Sequence, residues 1–465
     1  MLWLLCWLLL NPALALAGSD AADPFATERD FGSVTALTPP CIETAWQGQP
    51  LDSNQLVAIA LCRNPQTRID WANARVAAAQ WGQVLAQRLP TLDLGVAIER
   101  QERHGGLSTS IDQNLLSPNL SLSYLLFDFG GRQARDESAR ATLLAALHSQ
   151  NSSTQRLILA VLQAYYQLIA NDAAVTAARA NEQTAETVLK AAQLRHQIGS
   201  VTRVDLLQAQ SAYSQTRLNR QSAEGNARTA RGVLANSIGL DADVPLAVVA
   251  PPQPKPDPIA EENIHLLIEQ ARGQRPDLAA AEAQVRAALA NQRAVRSAGL
   301  PSLSLSLQQI NSYPSVTPDS RDTQVGLQLS MPLFTGFADS YRLRASQAEI
   351  ELQQARSELL DNQVALEVWQ RYHALQTSRD TLSTTLDLLA SAEAAAQMAL
   401  GQYRSGVGTL LNLLTLQAQL ANARLQHIQA QYNWFSSRMA LAQALGQLTP
   451  TSASEPASQP PPASR

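Results

Sequence analysis

Two long stretches of the sequence, residues 132–198 and 337–400, contain neither glycine nor proline. Such stretches favour uninterrupted helix, and at the rise of an α-helix the first would be about 100 Å long. A single globular core cannot cover a helix of that length, so its apolar residues must pack against neighbouring helices, as in a coiled coil. Leu375, Leu382 and Leu389 recur every seven residues, as a coiled-coil seam requires. The sequence therefore predicts long helices that pack side by side.

The two halves of the chain are copies of one unit. Gly199–Leu207 recurs as Gly406–Leu414 at an offset of 207 positions, and Leu89–Leu92 recurs as Leu300–Leu303 at an offset of 211. In both halves a glycine turn ends the long helical stretch, and a second helical stretch follows the turn. The duplication thus predicts two helical hairpins.

Each half also contains two short segments in which apolar and polar residues alternate. A period of two indicates strands with one apolar face, and each segment runs about ten residues, the length of a tilted strand that crosses a bilayer. The apolar positions are Leu92, Leu94, Val96, Ile98, Leu120, Leu122 and Tyr124 in the first half, and Leu303, Leu305, Leu307, Val325, Leu327, Leu329, Met331 and Leu333 in the second.

Four such strands cannot form a closed wall in a membrane. An open sheet edge in hydrocarbon leaves backbone groups unpaired, at a cost of several kcal/mol each, and the smallest single-chain barrels need about eight strands. Closure therefore requires at least two chains, and three chains would give a twelve-stranded wall. The apolar strand faces would contact lipid, the Ser/Thr/Gly/Ala faces would line the lumen, and the long helices would continue the wall into the periplasm.

The N terminus has the pattern of a secretory signal peptide. Residues 1–17 are apolar, carry no charged side chain and end in Ala15-Leu16-Ala17. No later run of 18 apolar residues occurs, so the sequence predicts an exported protein without a transmembrane helix, either soluble or an outer-membrane barrel.

Cleavage removes Cys6, and in an oxidising compartment we expect Cys41 and Cys62 to form a disulfide. The alternative is two buried, unpaired cysteines.

Charge and motifs argue against several classes of protein. The chain has 35 Lys and Arg against 39 Asp and Glu, so it lacks the basic excess of a nucleic-acid-binding protein. The six histidines are scattered without metal-ligand spacing, and neither a phosphate-binding glycine loop nor a nucleophile elbow is present. We therefore expect no enzyme activity, no cofactor and no metal site.

The combination of features resembles a known family. Leu126-Phe127-Asp128-Phe129-Gly130 and Leu333-Phe334-Thr335-Gly336 follow the strand pairs, and Tyr403-x-x-Gly406-x-x-Thr409-x-x-Asn412-Leu413-Leu414 surrounds the second glycine turn. Together with the duplicated halves, these motifs are similar to those of the TolC-like outer-membrane efflux proteins, over about residues 50–448. The resemblance implies an α+β fold in which a homotrimer forms a 12-stranded outer-membrane β-barrel, four strands per chain, continued by a long periplasmic α-helical coiled-coil barrel.

By the same resemblance, the protein is the exit duct of a tripartite efflux pump in the outer membrane of a Gram-negative bacterium, and passes drugs or other toxic small molecules. Its expected partners are a periplasmic adaptor (membrane fusion) protein, a proton-driven or ABC pump of the inner membrane, and outer-membrane lipid. The alternative with the same architecture is the outer-membrane component of a type I protein secretion system. A rival from another class is a secreted structural coiled-coil protein without a pore.

The resemblance also implies a periplasmic gate at the hairpin turns. In the family a tyrosine–aspartate hydrogen bond ties the two hairpins together, and the matching residues are Tyr403 and Asp205. Gly408 occupies the position of a further arginine link, which leaves Arg203 or Arg404 as substitutes. The alternative for Tyr403 is an ordinary seam aromatic, and for Asp205 a carboxylate favoured at a helix N terminus. The positions of two acidic entrance residues hold Asn412 and Thr415, so no carboxylate ring is expected there. The candidate gate residues are thus Asp205, Tyr403, Arg404, Asn412 and Thr415.

The turns themselves are the predicted contact surface for the adaptor, although glycine in a turn is also explained by its access to positive φ. The candidate contact residues are Gly199, Ser200, Val201, Gly406, Val407 and Gly408.

The predicted division of the chain is a signal peptide (1–17), an N-terminal periplasmic segment (18–52), a first repeat (53–240, with strands in 91–126 and a hairpin in 131–238), a proline-rich linker (241–262), a second repeat (263–448, with strands in 302–333 and a hairpin in 337–445) and a disordered tail (449–465).

Overall fold

The computed structural model describes residues 23–27, 48–103, 111–252 and 263–448. The predicted signal peptide, Cys41, residues 253–262 of the linker and the C-terminal tail lie outside the described residues, so the predicted Cys41–Cys62 disulfide stays a prediction. In the first half the elements are α1 (Ser53–Arg63), α2 (Pro65–Ala86), β1 (Thr91–Arg103), β2 (Ile111–Phe127), α3 (Gly131–Gln197) and α4 (Arg203–Ser237). In the second half they are α5 (Ile264–Gln274), α6 (Pro276–Ala298), β3 (Ser302–Pro314), β4 (Ser320–Ser330), α7 (Ala338–Arg404) and α8 (Leu410–Ala444).

The long helices are continuous. Helices α3 and α7 each contain 67 residues, and the helices that return from them, α4 and α8, each contain 35. We call α3 and α4 the first hairpin and α7 and α8 the second hairpin. Among the described residues, no helix is both long enough and apolar enough to cross a membrane.

The chain divides into two compact units. One contains the sheet, within Ala72–His148 and Ala279–Leu359, and the core of this unit includes Trp81 and Leu143. The other contains Ser149–Leu278 and the described residues from Leu360 onward. Its two largest apolar clusters are built on equivalent residues of the two repeats, because Val161 and Tyr165 lie in one cluster and Val368 and Tyr372 in the other.

The four strands form one antiparallel sheet in the order β1-β2-β3-β4. The register places apolar residues beside apolar residues, as in the row Leu92, Leu122, Leu307 and Val325. On β1 the apolar side chains from Leu92 to Ile98 are 57–79% exposed, so the chain itself does not cover this face. The alternation in the sequence predicted these strands and their faces correctly.

Three of the four strands are longer than the roughly ten residues that the alternation predicted. The four strands contain 13, 17, 13 and 11 residues, because pairing continues past the apolar alternation into polar residues. There the Arg100 guanidinium donates to the Asp112 carboxylate across β1 and β2 at 2.8 Å. Pro118 lies inside β2, and the β2–β3 pairing omits it, since proline has no N–H to donate.

Each repeat closes through the same joint between the end of its hairpin and its two short helices. Gly239 follows α4 with a φ of 79°, and Gly446 follows α8 with a φ of 76°. A Cβ on Gly239 would lie 2.7 Å from the backbone of Arg63, and one on Gly446 would lie 2.9 Å from the backbone of Gln274. Both the backbone conformation and the close approach therefore require glycine.

A polar side chain completes each joint. Asn64 donates to the Ser237 carbonyl at 2.8 Å in the first repeat, and Arg275 donates to the Ala444 carbonyl at 3.2 Å in the second. Arg275 also donates to the carboxylate of Asp277 at 2.7 Å. Burial by itself would raise the pKa of Asp277, but the hydrogen bonds from Arg275 hold that pKa below its usual value. Different residue types thus satisfy the same helix-end carbonyl in the two repeats.

Replacing Gly446 with alanine should destabilise the protein, because the new Cβ would meet the Gln274 backbone at a disfavoured φ. We expect a loss on the order of 2 kcal/mol, measured as a lower midpoint of thermal unfolding by circular dichroism. Gly401→Ala is the control, since Gly401 lies within α7 with no atom near its Cβ position, and alanine there should maintain or raise the midpoint. Equal midpoints for Gly446→Ala and wild type would contradict the claim that the joint requires glycine at position 446.

Candidate functional site

The turn of the first hairpin is closed by a glycine and a capping box. Gly199 has a φ of 71°, and the Ser200 N–H donates to the Arg195 carbonyl at 2.8 Å. Thr202 caps α4, and the Asp205 carboxylate accepts from the Thr202 N–H at 3.0 Å and from its hydroxyl at 2.7 Å. This arrangement holds Asp205 in the first turn of α4, where the helix dipole favours a negative charge.

The turn of the second hairpin is tighter. Gly406 has a φ of 84°, and the N–H groups of Val407 and Gly408 both donate to the Gln402 carbonyl, at 3.0 and 2.9 Å. A Cβ on Gly408 would lie 3.0 Å from both the Gln402 Cβ and the Tyr403 nitrogen. An arginine at position 408 therefore does not fit this turn without a shift of the backbone.

Tyr403 lies in the last turn of α7 with only 5% of its surface exposed. Its ring belongs to an apolar cluster with Val188, Ala192 and Leu413. Its hydroxyl is also buried and has no hydrogen-bond partner among the described residues. The structure therefore brings Tyr403 between the two hairpins but does not bond it to Asp205, whose carboxylate is occupied by Thr202.

Arg195 is the residue at this site that the sequence analysis missed. Its guanidinium carbon lies 4.5 Å from the centroid of the Tyr403 ring, and one guanidinium nitrogen donates to the Tyr403 carbonyl at 3.2 Å. These contacts join α3 of the first hairpin to α7 of the second. A signal was present in the sequence, because the position equivalent to Arg195 in the second repeat holds Gln402.

The other predicted gate residues lie on the surface around the turns. Arg203, Arg404, Asn412 and Thr415 are exposed, and Asn412 and Thr415 supply no carboxylate. Apolar residues beside the turns are exposed as well, with 83% of Val407 accessible. The exposed apolar residues of the turns and of the first turns of α4 and α8 are Ile198, Val204, Leu207, Val407 and Leu411.

The second functional surface is the polar face of the sheet. Side chains alternate between the two faces of a strand, so Asp93 and Glu99 of β1 lie on the face opposite Leu92. The row that contains Asp93 continues through Ser121, Gln308 and Gln324 and is polar throughout. Asp322 of β4 lies on the same face. Between residues 91 and 101 of β1 and within β4, this face has carboxylates and no lysine or arginine.

The described part of the chain offers no cluster of three or more His, Cys, Asp or Glu side chains that could hold a metal ion.

Both repeats match one family of known proteins. The sequence profile of the outer membrane efflux protein family matches residues 56–240 and 267–447. The chain belongs to this family.

Individual relatives are similar over nearly the whole chain. Protein CyaE of Bordetella pertussis is 29% identical over 444 residues, which cover 94% of this chain and 93% of CyaE. The pyoverdine export outer membrane protein OpmQ of Pseudomonas aeruginosa is 28% identical over 451 residues, which cover 93% and 89%. The solved structure of the outer-membrane channel OprN superposes with a TM-score of 0.76 at 22% identity, covering 85% of this chain and 90% of OprN.

The family and the fold class predicted from the sequence are confirmed. The protein is an outer-membrane efflux channel of the TolC-like family, in which each chain contributes four strands and two helical hairpins to a trimer.

The carboxylates on the polar face of the sheet should make the barrel prefer cations, because three chains place several negative charges around one lumen. Replacing Asp93 and Asp322 with asparagine and Glu99 with glutamine should reduce that preference, measured as a reversal potential across a planar bilayer with a salt gradient.

Glu102→Gln is the matched control, because Glu102 lies on the opposite face of β1 and should leave the reversal potential unchanged. If the triple variant keeps the wild-type reversal potential, the carboxylates do not set the selectivity of the channel.

Proposed function

We propose that this protein is the exit duct through which a tripartite pump expels drugs or other toxic small molecules. The observation that supports this most is the sheet, whose uncovered apolar face suits lipid and whose polar face suits an aqueous lumen. The similarity to OpmQ, which is named for pyoverdine export, favours a small organic cargo. No energy-coupling motif is present in the sequence, so the pump of the inner membrane, proton-driven or ABC, supplies the energy.

The periplasmic adaptor docks on the hairpin turns. Both turns present backbone and small residues, and the exposed apolar side chains around them suit contact with another protein. The contact residues are Gly199, Ser200, Val201, Gly406, Val407 and Gly408. Outer-membrane lipid contacts the apolar face of the sheet.

Deletion of the gene should make the host more susceptible to several toxic compounds, because their exit route is lost. Minimum inhibitory concentrations, measured with and without a plasmid that restores the wild-type protein, test this. The secreted proteome of the same strain is the second readout. Unchanged susceptibility together with the loss of one secreted protein would contradict the proposal and identify a type I secretion channel.

The regulated constriction lies at the turns, where Asp205 and Tyr403 tie the hairpins in the closed state, with Arg404, Asn412 and Thr415 around them. The buried hydroxyl of Tyr403 supports this role, since an unpaired buried hydroxyl costs about 1–3 kcal/mol. A hydrogen bond to a carboxylate in the closed state would recover that cost.

Tyr403→Phe and Asp205→Asn should each raise the mean single-channel conductance in planar bilayers, because each weakens the bond that holds the channel closed. Glu186→Gln is the control, since Glu186 pairs with Lys190 on the surface of α3. Wild-type conductance in both variants would show that the Tyr403–Asp205 bond does not hold the channel closed.

A further inference from the structure

One side chain makes three contacts between the two hairpins near their turns. The Arg195 guanidinium stacks 4.5 Å from the centre of the Tyr403 ring and donates to the carbonyls of Tyr403 and Arg404 at 3.2 and 3.5 Å. Arg195 belongs to α3, whereas both of its partners belong to the last turn of α7. Loss of this side chain would therefore remove these three contacts at once, while the apolar cluster around Tyr403 would remain.

Each of the three contacts of Arg195 is electrostatically favourable. A guanidinium is attracted to the negative face of an aromatic ring. The last carbonyls of a helix lack intrahelical partners and carry partial negative charge, which a nearby cation stabilises. Arginine suits the position better than lysine, because its planar group can stack on a ring and donate sideways at the same time.

The contact breaks the symmetry of the duplicated unit. The position equivalent to Arg195 holds Gln402, which is exposed, and the position equivalent to Tyr403 holds His196. The His196 ring instead lies 3.2 Å from the Val201 carbonyl within its own turn. The described part of the second repeat therefore has no equivalent of the Arg195–Tyr403 pair, which holds the second hairpin to the first.

We propose that Arg195 is the positioning residue of the gate: it latches the second hairpin to the first and holds Tyr403 in its buried place, so that opening requires the Arg195–Tyr403 contact to break. This inference rests on the proposed gate at the turns. It adds a residue that acts through Tyr403 rather than on the cargo.

The test is a double-mutant cycle in planar bilayers. Arg195→Gln introduces the residue found at the equivalent position of the second repeat, and should raise the ratio of open to closed time about tenfold, the change that about 1.4 kcal/mol produces. Arg195→Lys keeps the charge near the carbonyls and should give a smaller increase. In a Tyr403→Phe background the ring remains, so Arg195→Gln should keep its full effect. In a Tyr403→Leu background the same substitution should have a clearly smaller effect, because only the contacts with the two carbonyls remain to be lost.

Arg179→Gln is the matched control, because Arg179 lies on the same helix but pairs with Glu224 inside the first hairpin, and it should leave the ratio unchanged. Native electrophoresis shows whether each variant assembles. If the Tyr403→Leu variant does not assemble, Arg195→Lys in the Tyr403→Phe background replaces it in the test. The proposed role of Arg195 would be overturned if Arg195→Gln kept the wild-type ratio of open to closed time. It would also be overturned if Arg195→Gln had the same effect in the Tyr403→Leu background as in the protein that retains Tyr403.

The latch and the proposed function can fail separately. If a deletion strain shows no change in susceptibility, the proposed cargo is refuted, while the conductance of the purified protein still tests Arg195. If Arg195→Gln opens the channel but Tyr403→Phe alone does not, the latch is supported and the Tyr403–Asp205 bond is refuted.

Discussion

Unpaired backbone groups at the two edges of the sheet constrain the rest of this protein. Among the described residues, strands β1 and β4 each pair on one side only, and every unpaired group in hydrocarbon costs several kcal/mol. The fourth strand of one chain must therefore pair with the first strand of the next. The polar and apolar faces of the sheet, the duplicated hairpins and the need for several chains all follow from a wall that no single chain can close.

Duplication supplies the architecture, and departures from it carry the specific chemistry. Each repeat uses the same glycine to close its joint, but Asn64 and Arg275 satisfy the neighbouring carbonyl differently. At the turns, Asp205 is matched by Asn412 and Arg195 by Gln402. At the turns, the first hairpin therefore carries charged side chains where the second carries amides, and Arg195 alone of these two charged residues contacts the second hairpin.

The periodic features of the fold could be predicted from the sequence, because each is a local pattern. The absence of glycine and proline predicted α3 and α7, and alternation predicted the strands and their faces. The strand ends were misjudged, since cross-strand pairs such as Arg100 and Asp112 extend the ladder beyond the apolar alternation. The contact of Arg195 with Tyr403 was missed because it joins residues far apart in sequence, and no local period reports such a contact.

Cross-linking between neighbouring chains tests the shared wall most directly. Cysteine introduced at Gly326 on β4, combined in turn with cysteine at Asp93, Gly95 or Ala97 on β1, samples the unknown register between two chains on their polar faces. After oxidation, the account predicts covalent dimers and trimers under denaturing, non-reducing electrophoresis for at least one pair, and monomers for each variant with only one introduced cysteine. Monomers with a bond between the two strands of the same chain would contradict it, because the sheet would then close on itself.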